Sequence, residues 1–360
     1  MSKSVIIIGG GLLGMLSAYY LQRAGAQVQI FDKGPFGQEA SWAGGGILSP
    51  LYPWRYPEAV SELARQSQNL YPALLAELKA ATGLDPEYQV SGMWMLNIDD
   101  ADQAQSWADQ YQRPLTLTSL ARLPTTVTTT HTHAYLPDVA QVRNPRLIKT
   151  LLAVLNQANV TLQAEQTVQA LLFDQQRVVG IQTALGRHMA DAVIVANGAW
   201  SGAWLEPMGI TLPVTPVRGQ MLLYQADPGL LSSIILQGPH YLIPRRDGHI
   251  VAGSTMESAG FDKQTTTAAF EHISTFATQL IPALADAPVV NHWAGLRPGC
   301  GDGIPYLDQH PEHPGLYFNV GHFRNGIVMA AASAYRLSRL ITQGTDPGQA
   351  YRFDRRQPAN

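Results

Sequence analysis

A glycine-rich turn between two apolar stretches, VIIIGGGLLGMLSAYY over residues 5–20, opens the sequence. The pattern predicts a buried strand at Ser4–Ile8, a turn at 9–14 and a helix at 12–24. A parallel strand is expected next at Gln27–Phe31, which completes a βαβ unit. The chain is therefore expected to be an α/β protein with a Rossmann-like domain.

The glycines of this turn fit the dinucleotide pattern G-x-G-x-x-G. Gly9 permits the tight turn, Gly11 lets the backbone approach a pyrophosphate, and Gly14 lets the helix lie close to the strand. The free N–H groups and dipole of the helix N-terminus favour an anion there. Asp32, after the second strand, can accept hydrogen bonds from ribose hydroxyls. These residues predict an adenosine diphosphate group, which NAD and FAD share, against a merely structural turn.

A secretory signal is the alternative reading of this terminus, since Lys3 precedes an apolar stretch and AGA follows at 24–26. Three consecutive glycines would break a signal helix, and the chain resumes as an alternating strand. Gln22 and Arg23 also make the stretch too polar to cross a bilayer. The single cysteine, Cys300, excludes an intramolecular disulfide framework and a cysteine-based zinc site. We expect a cytoplasmic protein.

Size and charge limit the class of partner. A chain of 360 residues can bury a large core in one large or two intertwined domains. Only 14% of the residues are charged, and the net charge is −3. That charge gives no broad attraction for nucleic acid or an anionic membrane surface, so we expect a small-molecule partner and neither of these.

Three later segments distinguish NAD from FAD. EASWAGGGILSP at 39–50 is either a close-approach loop for a planar cofactor or a flexible loop, and DAVIVANGAWSG at 191–202 predicts a strand ending at the nucleotide crevice. Residues 315–341 predict a strand, a turn and a buried alanine-rich helix. The N-terminus of that helix can stabilise negative charge on a flavin ring. A nicotinamide needs no such return of the chain, so the pattern favours FAD.

Several motifs together resemble the FAD-dependent D-amino-acid oxidase superfamily and, within it, the bacterial glycine oxidases linked to thiamine biosynthesis. They are IIIGGGLLG, HYLIPR, WAGLRPG, GLRPGCGDGIPYLD and VGHFRNGI, and the resemblance runs from residue 4 to about 354. It implies an interleaved fold. A Rossmann-like, glutathione-reductase-like FAD domain would comprise 1–87, 142–212 and 292–360, and a mostly antiparallel α+β substrate domain 88–141 and 213–291.

Local patterns agree with this division. Asn144-Pro145 predicts a helix start, followed by an apolar face of Leu147, Leu151, Val154 and Leu155. Strands are predicted at 160–162, 168–173 and 178–182, as a meander with a hairpin at 174–176. The segments GMWMLNI, RGQMLLYQ, HYLIPRR and HIVAGSTM predict strands of the substrate sheet, and PTTVTTTHTH at 124–133 predicts a surface loop.

The resemblance implies oxidation of glycine, sarcosine or small D-amino acids. Hydride would pass to flavin N5, and the imine would hydrolyse to glyoxylate and ammonia while dioxygen becomes hydrogen peroxide. A dehydrogenase of the same superfamily with a quinone acceptor is one alternative, and a catalytically silent dinucleotide-binding or sensor protein is another. The family also implies a homo-oligomer, for which a tetramer is one form.

Three residues are expected to bind the substrate. The main contact is expected from an arginine, because a planar guanidinium can meet both oxygens of the substrate carboxylate. The resemblance assigns that role to Arg297, whose alternative is an internal ion pair. It implies that the Tyr241 hydroxyl donates to the same carboxylate, the alternative being a core tyrosine. It places Arg324 at the pocket entrance or near the substrate carboxylate, the alternative being a loop residue that covers the flavin. His240 should point to the opposite face of the Tyr241 strand. No general base is expected, since the amine lone pair can drive hydride loss.

The remaining expectations concern the pocket and the cofactor. Ile47, Met256 and Trp293 are predicted as pocket walls, although Ile47 and Met256 can equally be plain core. FAD is expected to be bound non-covalently, because Cys300 lies outside a flavin-tether motif. No metal is expected at His131-x-His133 or His310-x-x-His313. The predicted cofactor-binding residues are Gly9, Gly11, Leu12, Leu13, Gly14, Asp32, Lys33, Ser41, Trp42, Ala43, Gly45, Gly46, Ile47, Val168, Asn197, Gly198, Trp200, Arg297, His322, Arg324, Asn325, Gly326 and Ile327.

Overall fold

The computed structural model describes residues 2–119 and 132–356. Its helices alternate with strands near both termini, as the sequence predicts. The helices are α1 Leu12–Arg23, α2 Ala40–Ala43, α3 Glu58–Thr82, α4 Ala101–Tyr111, α5 Asn144–Gln157, α6 Ser201–Leu205, α7 Thr267–Leu280 and α8 Gly326–Gln343.

The strands form two large sheets and two small ones. They are β1 Ser4–Ile8, β2 Gln27–Phe31, β3 Gln89–Val90, β4 Met93–Ile98, β5 Thr116–Thr118, β6 Thr132–Leu136, β7 Ala140–Gln141, β8 Thr161–Gln163, β9 Val168–Asp174, β10 Arg177–Thr183, β11 Gly186–Met189, β12 Ala192–Val195, β13 Thr215–Gln225, β14 Ile234–Gln237, β15 His240–Pro244, β16 His249–Gly253, β17 Val289–Gly299, β18 Tyr306–Gln309 and β19 Leu316–Val320.

The first large sheet has the strand order β18-β19-β12-β1-β2-β8 and is parallel apart from the edge strand β18. Both of its faces are covered, which explains why β1 is an unbroken apolar run. Val5 and Ile7 face a cluster built with α1, α3, α5 and α8. Ile6 and Ile8 face the other way, against the small sheet β9-β10-β11. The α/β class with a Rossmann-like domain is confirmed.

The second large sheet has the order β17-β13-β16-β15-β14-β4-β6-β5. It is antiparallel except for the pair β14 and β4, as expected for the substrate unit. Leu222, Leu242 and Ala252 of one face pack with Ile273 and Ala277 of α7. The opposite face carries Tyr241 and Ile243, which pack with Ile47 of the loop after α2. This face is therefore turned toward the part of the molecule that contains the first sheet.

The long pairing of β13 with β17 bears on the division into units. The two strands pair from Thr215↔Gly299 to Tyr224↔Val289, with one irregularity. The boundary suggested at residue 292 therefore falls inside β17. We propose that the substrate unit extends to about residue 299.

Two local expectations differ from the structure. The segment expected at 160–162 forms β8 and pairs in parallel with β2. It is therefore the edge of the first sheet, and β9, β10 and β11 form the meander. The predicted surface loop at 124–133 lies outside the described residues up to 131. Its last two residues begin β6, where buried His133 accepts the backbone N–H of Asn97 at its Nδ1 (3.1 Å).

The fold sets the position of the site. Ile8 and Phe31 end β1 and β2, Ala196 follows β12 and Val320 ends β19, and all four line one cavity. The carboxyl edge of a parallel sheet is where such folds bind their ligands. Among the described residues, no helix combines the length and the hydropathy needed to span a membrane.

Candidate active site

A cavity of about 460 Å³ lies between the carboxyl edge of the parallel sheet and the second large sheet, on the face that carries Tyr241. It brings together most of the predicted site residues. Those that line it are Gly9, Gly11, Leu12, Leu13, Asp32, Lys33, Ser41, Ala43, Gly45, Gly46, Ile47, Val168, Asn197, Gly198, Trp200, Tyr241, Arg297, His322, Arg324, Gly326 and Ile327.

The glycine-rich turn has the geometry of an anion site. Gly9 has φ +111°, and a Cβ atom there would overlap the carbonyl of Ala196. A Cβ at Gly14 would overlap the Gly9 carbonyl, so this glycine lets α1 lie close to the turn and does not itself line the cavity. Ser41 Oγ accepts the N–H of Leu12 (2.8 Å) at the start of α1. Gly11, Leu12 and Leu13 line the cavity, so the N-terminus of α1 faces it, as an anion site requires.

Asp32 fits a ribose-binding role at one end of the cavity. Its carboxylate accepts the N–H groups of Gly10 (2.7 Å) and Gly34 (2.9 Å), one on each oxygen. Burial raises the pKa of Asp32, and these two backbone bonds act in the opposite direction. Each oxygen keeps a free acceptor position for a hydroxyl group. Lys33 Nζ lies 3.5 Å from the centroid of the Trp200 ring at the same end.

The glycine loop 43–46 is fixed by four donors from three parts of the chain. Trp293 Nε1 donates to the carbonyl of Ala43 (3.1 Å), and Asn144 Nδ2 donates to that of Gly44 (2.9 Å). Arg245 Nη2 donates to the carbonyl of Gly45 (2.7 Å), and the N–H of Val142 donates to that of Gly46 (2.9 Å). With every carbonyl held, the loop presents a fixed wall without side-chain bulk to a planar ligand.

The charged side chain of Arg245 stabilises the backbone of that loop. Besides the Gly45 carbonyl, its Nη1 donates to Gln141 Oε1 (2.8 Å) and to the carbonyl of Val142 (3.1 Å). Burial lowers the pKa of Arg245 to about 10, so the guanidinium remains charged near neutral pH. The cost of burying this charge is offset by three hydrogen bonds to oxygens, which fixes the loop backbone.

Arg297 projects from β17 into the opposite end of the cavity. Its Nη1 donates to the carbonyls of Thr255 (3.1 Å) and Arg218 (3.3 Å), and its Nη2 donates to Ser254 Oγ (2.7 Å). These partners are neutral, and no carboxylate of residues 2–119 or 132–356 forms an ion pair with it. Burial lowers the pKa of Arg297, while the nearby Tyr241 acts in the opposite direction. A buried guanidinium without a carboxylate partner favours an anionic ligand.

Tyr241 and Arg324 complete this end of the cavity. Tyr241 on β15 is 7% exposed, and its hydroxyl donates to the weak acceptor Met221 Sδ (3.8 Å) and interacts with the Arg297 guanidinium. Arg324, in the turn before α8, is half-buried and makes a long hydrogen bond from Nη2 to the carbonyl of Pro239 (3.4 Å). His240 points to the other face of β15, where its Nε2 lies 3.0 Å from His272 Nε2, as expected.

The charges of the cavity are divided between its ends. Asp32 and Glu39 are the carboxylates among its described lining residues, and Glu39 is already paired with Lys263 (2.9 Å). Arg297 and Arg324 are the cations at the Tyr241 end. A small ligand with a carboxylate therefore finds opposite charge at that end and no lining acid to repel it.

Four predicted residues besides Gly14 lie outside the cavity lining. Met256 is 59% exposed, because its neighbours Thr255 and Glu257 point inward and alternation turns Met256 toward solvent. Trp293 and Trp42 pack edge to face, with ring centroids 5.7 Å apart, and support the glycine loop from behind. Asn325 is 3% exposed at the start of α8.

Sequence reasoning missed several residues of the cavity wall. Gly219 of β13 lies beside Arg297, and a Cβ atom there would overlap both terminal nitrogens of the guanidinium. Met221 and Ser254 contact Tyr241 and Arg297, and Phe323 lines the wall with φ +46°. A glycine inside a strand, as in RGQM, is the signal that could have identified Gly219, since it marks a close approach.

His322 and Cys300 are buried, and each forms a hydrogen bond with another part of the protein. Burial lowers the pKa of His322 to about 3, so the imidazole is neutral at pH 7, and its Nε2 lies 2.8 Å from Ser333 Oγ on α8. Cys300 is buried, and its thiol donates to the carbonyl of Gly321 (2.7 Å). Within the described residues, no group of three His, Cys, Asp or Glu side chains could hold a metal ion.

The chain is similar to known proteins over nearly its whole length. A family model described as FAD dependent oxidoreductase matches residues 4–340. The chain is 47% identical over 352 residues to a glycine oxidase of Pseudomonas putida, with 96% of each protein covered. It is 32% identical over 369 residues to a bifunctional protein ThiO/ThiG of Trichormus variabilis, covering 96% of this chain and 54% of that protein. The solved structure of a glycine oxidase from Geobacillus kaustophilus superposes with a TM-score of 0.92 at 26% identity, over 99% of this chain and 100% of that one.

Proposed function

The chain belongs to the FAD dependent oxidoreductase family, and we propose that it uses non-covalently bound FAD to oxidise glycine and other small amines, including sarcosine and small D-amino acids. The overall reaction is glycine, water and dioxygen giving glyoxylate, ammonia and hydrogen peroxide. Its relatives include proteins named glycine oxidase at up to 47% identity among those compared above.

One observation carries the proposal. Arg297 is a largely buried guanidinium whose protein partners are neutral oxygens, and it lies beside the Tyr241 hydroxyl, which donates only weakly to Met221 Sδ (3.8 Å). An α-amino acid supplies the missing anion as its carboxylate. By contrast, neighbouring Arg218 is already paired with Glu257 (2.6 Å) and Asp262 (2.6 Å).

The chain's own residues would position the substrate. The fork of Arg297 binds both carboxylate oxygens, and the Tyr241 hydroxyl exchanges Met221 Sδ for a charged acceptor, which is a stronger hydrogen bond. Arg324 adds a second positive charge near the entrance. Fixing the carboxylate fixes the α-carbon, and a displacement of about 1 Å can cost on the order of a hundredfold in rate.

The cofactor would lie along the rest of the cavity. The glycine turn would receive its diphosphate, Asp32 its ribose, and the fixed loop 43–46 would border its planar ring. When bound, FAD supplies the two-electron acceptor for the α-carbon hydrogen. The N-terminus of α8, at Gly326 and Ile327, would favour negative charge at the ring.

No side chain is required as a general base in this proposal. The free amine carries the lone pair that drives hydride departure, and the product imine is then hydrolysed by water. Neutral His322 is bonded to Ser333 and is too weak a base to compete near pH 7. The reaction would therefore start from the unprotonated amine, and the positive charges of Arg297 and Arg324 would disfavour the ammonium form at that end of the cavity.

The proposal includes a metabolic pathway, a cellular location and an oligomeric state. A relative named ThiO/ThiG supports a place in thiamine biosynthesis, although the chain spans about half of that protein. We also propose a cytoplasmic location and assembly into a homo-oligomer, which light scattering after gel filtration would test.

The choice of electron acceptor is tested by steady-state assays. Purified FAD-loaded protein is mixed with glycine, sarcosine or D-alanine, and dioxygen consumption and hydrogen peroxide are measured. Equal amounts of oxygen consumed and peroxide formed support an oxidase. Turnover only with an added quinone would instead identify a dehydrogenase, and no turnover of any amine would point to a catalytically silent protein.

A further inference from the structure

The carboxylate clamp proposed above depends on where the Arg297 guanidinium is held. Two of its acceptors are backbone carbonyls, those of Arg218 on β13 and Thr255 after β16. These two residues belong to different chain segments. What fixes their carbonyls relative to each other therefore also fixes the guanidinium.

Glu257 joins the two segments. Its backbone forms both hydrogen bonds of a bridge with Arg218, N–H to carbonyl in each direction (2.9 Å both). Its Oε2 accepts from Nε (2.9 Å) and Nη2 (2.6 Å) of Arg218. Its Oε1 accepts from the Thr255 hydroxyl and from Gln220 Nε2 (2.9 Å).

The Thr255 hydroxyl extends the same network into the sheet. It accepts the backbone N–H of Gln220 (2.9 Å) while donating to Glu257 Oε1. Gln220 lies directly after Gly219, whose missing side chain makes room for the guanidinium. The network is thus continuous from Glu257 to the wall around Arg297.

We propose that Glu257 is a positioning residue for substrate carboxylate binding, which it supports by holding the Arg218 and Thr255 carbonyls against the Arg297 guanidinium. The inference rests on the proposed function only for the identity of the natural ligand. The half-exposed carboxylate of Asp262 contacts the same Arg218 side chain at Nη1 (2.6 Å), without reaching Thr255 or Gln220. Asp262 therefore provides a matched control.

The test uses a probe that does not react. Acetate carries the carboxylate without the amine, so its Kd for the FAD-loaded protein can be measured from the flavin difference spectrum. Glu257→Gln should raise the Kd of acetate by about tenfold, because it removes the charge that aligns Arg218 with Thr255. Asp262→Asn should leave this Kd within about twofold of wild type.

Two further measurements separate positioning from general damage. The Kd of FAD, measured by flavin fluorescence, should change less than about twofold in Glu257→Gln. In glycine oxidation by this variant, KM should rise by a larger factor than kcat falls. An unchanged acetate Kd, or a parallel loss of FAD and acetate binding, would overturn the proposal. If wild type binds acetate but oxidises no amine, the proposed function fails while this inference stands.

A second pair of variants covers the case in which Glu257→Gln does not fold. Thr255→Val removes the hydroxyl that bridges Glu257 and Gln220, whereas Thr255→Ser keeps it. The Kd of acetate should rise severalfold in the valine variant and should stay near the wild-type value in the serine variant. Equal acetate affinity in both variants would contradict the proposed network.

Discussion

Arg297→Ala is the substitution with the largest expected effect on turnover. The guanidinium has five N–H donors, and its three contacts to protein oxygens leave up to two of them for a ligand. Hydrogen bonds to charged groups contribute about 1.5–3 kcal/mol each. Losing two such bonds should cost about 3–6 kcal/mol, which lowers kcat/KM for glycine between about 150-fold and about 25,000-fold.

The assay compares substrates with and without a carboxylate. Oxygen consumption gives kcat/KM for glycine, and the same assay with ethylamine gives the value for an amine that Arg297 cannot clamp. We expect wild type to oxidise ethylamine slowly, and Arg297→Ala should lose activity toward glycine without a further loss toward ethylamine. FAD content, read from the flavin absorbance, should be unchanged.

Arg297→Lys is the matched control for charge without the fork. It should recover only part of the lost kcat/KM, because an ammonium cannot bind both carboxylate oxygens in plane. Wild-type kinetics with glycine in Arg297→Ala would refute the clamp. An equal loss for glycine and ethylamine would show that Arg297 acts on the fold instead.

Three further predictions concern the surroundings of the clamp. Gly219→Ala should raise KM for glycine by about tenfold or more with FAD retained, since its Cβ would overlap the Arg297 guanidinium; an unchanged KM would contradict this. Arg245→Met should raise the Kd of FAD by about tenfold, because the Gly45 carbonyl loses a charged donor; fluorescence titration measures it, and unaltered affinity would count against a fixed loop. Burial lowers the pKa of His322 to about 3, against about 6.5 in the unfolded chain, so its contribution to stability is present above pH 6.5 and is lost as the pH falls toward 3. Between pH 7 and pH 5 that loss is about 2 kcal/mol, and His322→Gln should remove it from urea unfolding curves; the same pH dependence in both proteins would exclude His322 as its source.

The nucleotide half of the fold was predictable because its signals are local. The glycine turn, the apolar run before it and Asp32 lie within one βαβ unit, and their roles follow from spacing along the chain. The structure places β1, α1 and β2 within one residue of the predicted bounds. The interleaving of the two units came from the resemblance rather than from such patterns.

The clamp was less predictable because it depends on register between distant strands. Gly219 pairs with Gly295 across β13 and β17, and only this pairing shows that both strands lack a side chain beside the cavity. Met256 was misplaced for a related reason. The bridge between Arg218 and Glu257 sets which side chains of its segment point inward, and nothing in the local sequence reports that bridge.

Anaerobic mixing of the purified protein with glycine shows whether Arg297 positions the substrate for reduction of the flavin. Without dioxygen, the absorbance of bound flavin near its long-wavelength maximum is followed as glycine, sarcosine or D-alanine is added. Glycine should bleach the flavin of the wild-type protein, and the same concentration should leave the flavin of Arg297→Ala oxidised. A protein that binds no flavin, or a bound flavin that none of these amines reduces, would contradict this expectation.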